Sequence, residues 1–262
     1  MFTQLLNQVY PNNTRVPYSI NGRIDLARQY SNNHPIVEYL ANYLSNNYMH
    51  NNIIYLSGDD LVRIWQGDEL PFAEKYLSTL WWGGKTRHAA SAYSVNSIER
   101  MGNPGLPAAL QLVSDAKSLE EAKENLQIVY QSLERGGSFS LRQVGPSFFS
   151  KILEYYFVSH PIQANYSYLP IICDQWLCRA VYAEMTERNE IDIRNTIFRT
   201  PTDFRVHRNS TWTSYSAFID YFNRRVIELK EEFPDLTAFM LEGYLFSRLG
   251  REMANSFIIG ND

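Results

Sequence analysis

A mainly α-helical fold is what this sequence predicts, on three observations. Apolar residues recur at helical spacing through most of the chain, no stretch sustains the strict alternation of a half-buried strand, and several segments carry start and stop signals at their ends. With 262 residues, 45% hydrophobic and 14% aromatic, the chain can bury a substantial core. A single unit over 1–262 is expected, built of two closely packed helical lobes, 1–115 and a second at 116–262.

Taken along the chain, helices are expected over 36–45, 58–65 and 71–82. The clearest case is 118–135. Ser118 with Glu121 makes a capping box, Leu119, Ala122, Leu126, Val129, Tyr130 and Leu133 form one stripe, and Gly136-Gly137 ends it. A further helix should begin at Pro146, because a first helical position does not need the missing N–H, and run to about residue 158. Another follows Asp174, with Leu177, Ala180, Val181 and Met185 at helical spacing, and two more cover 214–232 and 235–251. Strand signals are confined to 52–56, around Ile53-Ile54-Tyr55, and to 196–206. Segments 10–21, 83–107, 160–170 and 195–213 are rich in Asn, Pro, Gly, Ser or Thr and read as irregular.

Composition narrows the function classes. No apolar run approaches the roughly 20 residues that span a bilayer, and the first residues lack the pattern of a signal peptide, so a cytoplasmic protein with no membrane partner is expected. Cys173 and Cys178 are the only cysteines, too few for a disulfide framework or a tetrahedral zinc site. The net charge of −4 argues against indiscriminate coating of nucleic acid, whose affinity comes from neutralised phosphates. Charge is uneven, however: residues 138–225 carry ten Lys or Arg against eight Asp or Glu, and 226–262 carry three against seven. A locally basic face is compatible with that distribution.

The chemistry-bearing residues lie between 141 and 179. Val144-Gly145-Pro146 sits between two amphipathic helices, where glycine lets the chain turn and brings backbone N–H groups near an anion. The positive end of the following helix adds to that, so Gln143, Val144, Gly145 and Ser147 are candidates for anchoring one DNA phosphate; an ordinary helix–turn–helix joint explains the same residues. Lys151 projects from beside the hairpin on the helix that follows. A lysine amine becomes a nucleophile when desolvation or nearby positive charge frees its lone pair, and is otherwise a solvated surface group. Asp174 follows Leu169-Pro170-Ile171-Ile172-Cys173 and opens a helix, so it reads as an N-cap. The helix-end donors that make it a cap also favour a carboxylate suited to a developing positive sugar.

In that order, hairpin, lysine-bearing helix and aspartate, the stretch resembles the helix-hairpin-helix DNA glycosylase superfamily, in particular the prokaryotic OGG-fold, 8-oxoguanine glycosylase-like proteins. Val144-Gly145-Pro146 matches the hairpin, Lys151 in Phe-Phe-Ser-Lys-Ile-Leu the Schiff-base lysine, and Asp174 in Cys-Asp-Gln-Trp-Leu-Cys-Arg-Ala the catalytic aspartate. Trp81-Trp82-Gly83-Gly84-Lys85 and Leu241-Glu242-Gly243-Tyr244-Leu245-Phe246 resemble an upstream Trp-Gly segment and the C-terminal helix of those proteins. One departure stands out: the usual Gly-hydrophobic-Gly of the hairpin has Gln143 in place of its first glycine.

The resemblance implies an OGG-like helix-hairpin-helix fold and an enzyme that flips a modified base out of double-stranded DNA and cleaves its N-glycosidic bond. Asp174 would stabilise the sugar or activate the nucleophile, and Lys151 would attack C1′, with an associated AP lyase step, or position water. Neither metal nor diffusible cofactor is implied, and a monomer is expected. The substrate would be an 8-oxoguanine-like lesion or a hypermodified phage base, such as glucosylated hydroxymethylcytosine, in antiviral defence. Base flipping needs an aromatic pocket, for which Trp81, Trp82, Tyr155 and Trp176 are the candidates, although with 37 aromatic residues most must be core. Lys85, Arg87 and His88 are candidates for DNA contact, as is the basic stretch Arg194, Arg199, Arg205, His207 and Arg208. A noncatalytic helix-hairpin-helix DNA-binding protein and a lysine Schiff-base enzyme acting on a small carbonyl compound are the competing classes.

Overall fold

The computed structural model describes residues 1–12, 17–84, 91–200, 203–206 and 212–259. In chain order the elements are α1 (Phe2–Val9), β1 (Tyr18–Ser19), α2 (Asn21–Ser31), α3 (Pro35–Tyr48), β2 (Met49–His50), β3 (Ile53–Leu56), α4 (Gly58–Gln66) and α5 (Phe72–Trp82). They continue with α6 (Ala92–Met101), α7 (Gly105–Ser114), α8 (Leu119–Leu133), α9 (Pro146–Ser159), α10 (Gln175–Glu187) and α11 (Ile191–Ile197). The chain then forms β4 (Phe198–Thr200), β5 (Asp203–Val206), α12 (Trp212–Leu229), α13 (Ala238–Phe246) and α14 (Arg248–Ile259). The fold is mainly α, as expected.

The chain divides into two compact units, a central one, Val16–Tyr166, and a terminal one made of Met1–Arg15 and Ser167–Asp262. The division does not fall near residue 115. Helix α8 packs on α7, and α9 on α4 and α5, which keeps residues 116–166 in the central unit, while α1 packs on α13 and α14.

In the central unit, β3 pairs antiparallel with β1 on one side and β2 on the other. Asn51 and Asn52, at φ of 49° and 63°, form the two-residue turn joining β2 to β3, the left-handed pair that a tight hairpin favours. Helix α4 starts with a full capping box, Ser57 Oγ accepting from Asp60 N and Asp60 Oδ2 from Ser57 N. Helix α8 begins with Ser118 accepting from Glu121 N, but the Glu121 carboxylate accepts from Lys117 N instead of completing the box. Its buried residues are Ala122, Leu126, Val129, Tyr130 and Leu133.

Two expectations need correction. Segment 83–107 holds α6 and the start of α7, because Ser91 caps α6 and Val95, Ile98 and Met101 bury one face despite the polar composition. Segment 235–251 is two helices, with Ser247 extended between α13 and α14. Gly250 lies so close to the end of α13 that an added Cβ would sit 2.5 Å from the Tyr244 carbonyl, so the turn requires glycine. The strand signal at 196–206 is met by β4 and β5, paired antiparallel with a register irregularity between Phe198 and Thr200.

The terminal unit is organised around buried aromatics and a buried cluster of charges about Glu184. Phe2 meets Phe222 edge to face with ring centroids 6.1 Å apart. Glu184 on α10 and Arg225 on α12 are 2% and 4% exposed and bonded at 2.7 Å, and Glu184 also accepts from Phe2 N. Burial pushes the Glu184 carboxyl upward, but the Phe2 N–H, the α-ammonium of Met1 and Arg225 outweigh it and hold the group below the usual glutamate range. Because the folded value is depressed, the carboxylate stabilises the fold above the ordinary glutamate pKa, and that contribution is lost as pH falls through the depressed value. Thermal unfolding followed against pH should therefore show an acid limb that Glu184→Gln flattens; an unchanged limb would refute the assignment.

Candidate functional site

The hairpin that opens α9 is built differently from the sequence expectation. The left-handed residue is Gln143, at φ +62°, and Val144 N–H donates to the Leu141 carbonyl across the turn. Gly145 is extended, at φ −95° and ψ −175°, and an added Cβ there would meet nothing within 4 Å. Glycine is therefore required at Gly145 neither by backbone conformation nor by the protein's own packing, and the open space beside it admits a close approach from outside. Val144 is buried and ties the turn down, Gln143 is exposed, and Gly145 and Ser147 are half-buried. The Gly145 carbonyl accepts from Phe148 and Phe149 N–H, and α9 starts at Pro146 with no side-chain cap.

Lys151 is 6% exposed, not the solvated group that lysine usually is. Its stem lies against Gly83, the residue capping α5: an added Cβ at Gly83 would sit 2.9 Å from Lys151 Cδ and 3.2 Å from Cε. Gly83 itself has ordinary helical dihedrals, φ −68° and ψ −4°, so its missing side chain serves the lysine and not the backbone. Gly84 differs, at φ +85°, where glycine is favoured by conformation. One turn along α9 from Lys151, Glu154 and Tyr155 are fully buried.

Two of the four aromatic candidates, Trp82 and Tyr155, come together here. Trp82 meets Tyr155 edge to face at 5.4 Å and Tyr18 of β1 at 6.1 Å. Trp81 is fully buried, and neither indole N–H, of Trp81 or Trp82, has a hydrogen-bond partner among the described residues. The end of α5 is held by Arg23 of α2, whose guanidinium donates to the carbonyls of both tryptophans. Burial lowers the pKa of that guanidinium, and Tyr18 acts in the opposite direction. Sequence reasoning missed Arg23 and Tyr18, which lie over 50 residues from the motif they support. Lys85, Arg87, His88, His207 and Arg208 lie outside the described residues.

A cavity of about 510 Å³ also occurs in the central unit, lined by Trp65, Lys75, Gln111, Tyr156 and His160 among others. Five and nine residues beyond Lys151, Tyr156 and His160 fall on the opposite side of α9 by helical period. None of the four aromatic pocket candidates lines it.

Asp174, in the terminal unit, is the N-cap of α10. Its Oδ1 accepts from Trp176 N at 2.9 Å and Leu177 N at 3.1 Å, and the side chain is half-buried. The buried stretch leading to it satisfies its backbone through two residues the sequence did not flag. Asn223 accepts from Leu169 N and donates to Leu169 O, acting as a surrogate strand, and Tyr215 Oη donates to the Ile171 carbonyl. Trp176, by contrast, is 37% exposed, with the guanidiniums of Arg179 and Arg251 at 5.1 and 5.5 Å from its ring centroid. Among the described residues, no cluster of three or more His, Cys, Asp or Glu could hold a metal ion, and no helix is long and apolar enough to cross a membrane.

An α-helical chain in which a hairpin leads into a lysine-bearing helix, followed by a helix capped by aspartate, has the organisation of a helix-hairpin-helix glycosylase. The family described as "Putative 8-oxoguanine DNA glycosylase OGG-like protein" matches residues 55–246, and the chain belongs to that OGG-like family. The matched span includes the hairpin, Lys151 and Asp174, and leaves out α1 to α3 and α14. Neither a curated protein nor a solved structure matches the chain.

Proposed function

We propose that this protein is a DNA glycosylase that extrudes a modified base from duplex DNA and breaks its N-glycosidic bond. The observation that carries the reading is the burial of Lys151 against Gly83, on the helix opened by the hairpin and within the span shared with the OGG-like family. In the proposed reaction the bond between C1′ and the base breaks with its electron pair leaving on the base, which takes up a proton. The carboxylate of Asp174 stabilises the positive charge that develops on the sugar. The Lys151 amine bonds to C1′ and gives up a proton to solvent; ring opening then yields a Schiff base, from which the AP lyase step follows. The hairpin, with Gln143, Gly145 and Ser147 at its surface, binds a backbone phosphate without reading sequence. Trp82, with the buried Tyr155 ring packed edge to face behind it, supplies the aromatic surface for the extruded base.

Duplexes carrying single modified bases, from 8-oxoguanine to glucosylated hydroxymethylcytosine, test the reading directly. Strand breaks scored before and after alkali should show abasic sites with at least one of these bases, and borohydride should trap a covalent complex with it. DNA binding without base release across the panel would replace the enzyme reading with that of a noncatalytic hairpin protein.

A further inference from the structure

The surface beside Asp174 carries a feature that the proposed chemistry does not use. Trp176 is exposed on the first turn of α10, and two guanidiniums sit over its ring, Arg179 from the same helix and Arg251 from α14. Arg179 also donates to Asn255 of α14 at 3.3 Å. Arg188, Arg224, Arg225 and Arg248 of this unit each pair with a glutamate, whereas Arg251 has no carboxylate partner among the described residues. Two positive groups gathered on one indole repel each other, and an anion binding there offsets that repulsion. The Arg251 guanidinium, its face resting on the ring, keeps its plane fixed and can present its N–H edge to the oxygens of a phosphate.

We propose that Trp176, Arg179 and Arg251 form a binding site for a phosphodiester of the DNA strand, on the terminal unit next to Asp174. It rests on the glycosylase reading for the identity of the polyanion. Helix α14, which carries Arg251 and Asn255, lies beyond the span matched by the family. Its task is to hold the strand, and no base is read.

The test is the salt dependence of binding by the full chain to an unmodified duplex, measured by fluorescence anisotropy between about 50 and 200 mM salt. Each phosphate neutralised contributes about one unit to the slope of log affinity against log salt. Arg251→Gln should lower the slope by about 1, and Arg179→Gln or the double variant by no more than that, because one phosphodiester carries one charge. Trp176→Ala, which removes no charge, should lower it as well by unseating both guanidiniums, and Arg63→Gln, at an exposed side chain of α4, should leave it unchanged. Arg251→Gln alone decides the matter if Arg179→Gln unfolds the protein through its bond to Asn255. A wild-type slope in the Arg251→Gln protein overturns the phosphate site. Wild-type protein with no salt-sensitive affinity for the duplex overturns instead the DNA reading beneath it.

Discussion

Asp174→Asn is expected to slow base release by about 10²–10³-fold, the scale on which a pre-positioned electrostatic group stabilises a transition-state charge. The fold should hardly notice. Asparagine is as good an N-cap as aspartate, and its Oδ1 can accept from the same Trp176 and Leu177 N–H groups that Asp174 engages at 2.9 and 3.1 Å. Asp174→Ala removes both cap and charge, and should add about 1 kcal/mol of destabilisation to the same catalytic loss. Single-turnover excision alongside thermal unfolding separates the two roles. If Asp174→Asn releases base at the wild-type rate, the carboxylate is a cap and nothing more. Asn223 offers a contrast: Asn223→Ala would leave the N–H and C=O of Leu169 without their partner in a buried segment, about 1–3 kcal/mol for each group. It should therefore lower stability and activity together.

How much of this was legible in the sequence depended on how local each cause is. Asp174 as an N-cap, Pro146 at the first position of α9 and the apolar stripe of α8 are decided within four or five residues, and the expectations matched the structure. The hairpin was located but misassigned in detail. Glycine marks left-handed turns so strongly that Gly145 drew the assignment, while the residue that adopts the left-handed conformation is Gln143. Helix α6 was hidden because Ser, Asn and Gly dominate its surroundings, and only burial of Val95, Ile98 and Met101 makes it a helix. Non-local causes left no signal at all. Nothing in the sequence around Lys151 indicates that Gly83 receives it, that Arg23 caps the tryptophan helix, or that Glu184 and Arg225 pair in the terminal unit. The division into units was unreadable for the same reason, since α1 joins helices more than 200 residues away.

Lys151→Gln should abolish the borohydride-trapped complex, because an amide nitrogen has no lone pair available for C1′. That outcome alone cannot say whether the lysine's position matters, and Gly83→Ala can. Alanine is at ease at φ −68° and ψ −4°, so the backbone gains no strain. The new methyl group, however, would stand 2.9 Å from Lys151 Cδ and 3.2 Å from both Cε and the Thr79 carbonyl oxygen. A lysine stem is flexible and can swing aside at small energetic cost, so thermal stability should change little. The amine at its tip must then move, and a displacement of about 1 Å from the reactive position lowers the rate by about 10²-fold. Trapping rate and unfolding temperature measured on the same preparation give the answer. A Gly83→Ala protein that forms the covalent complex at the wild-type rate would show that this seat does not position the nucleophile. A slow but otherwise normal complex would make Gly83 the residue that aims it.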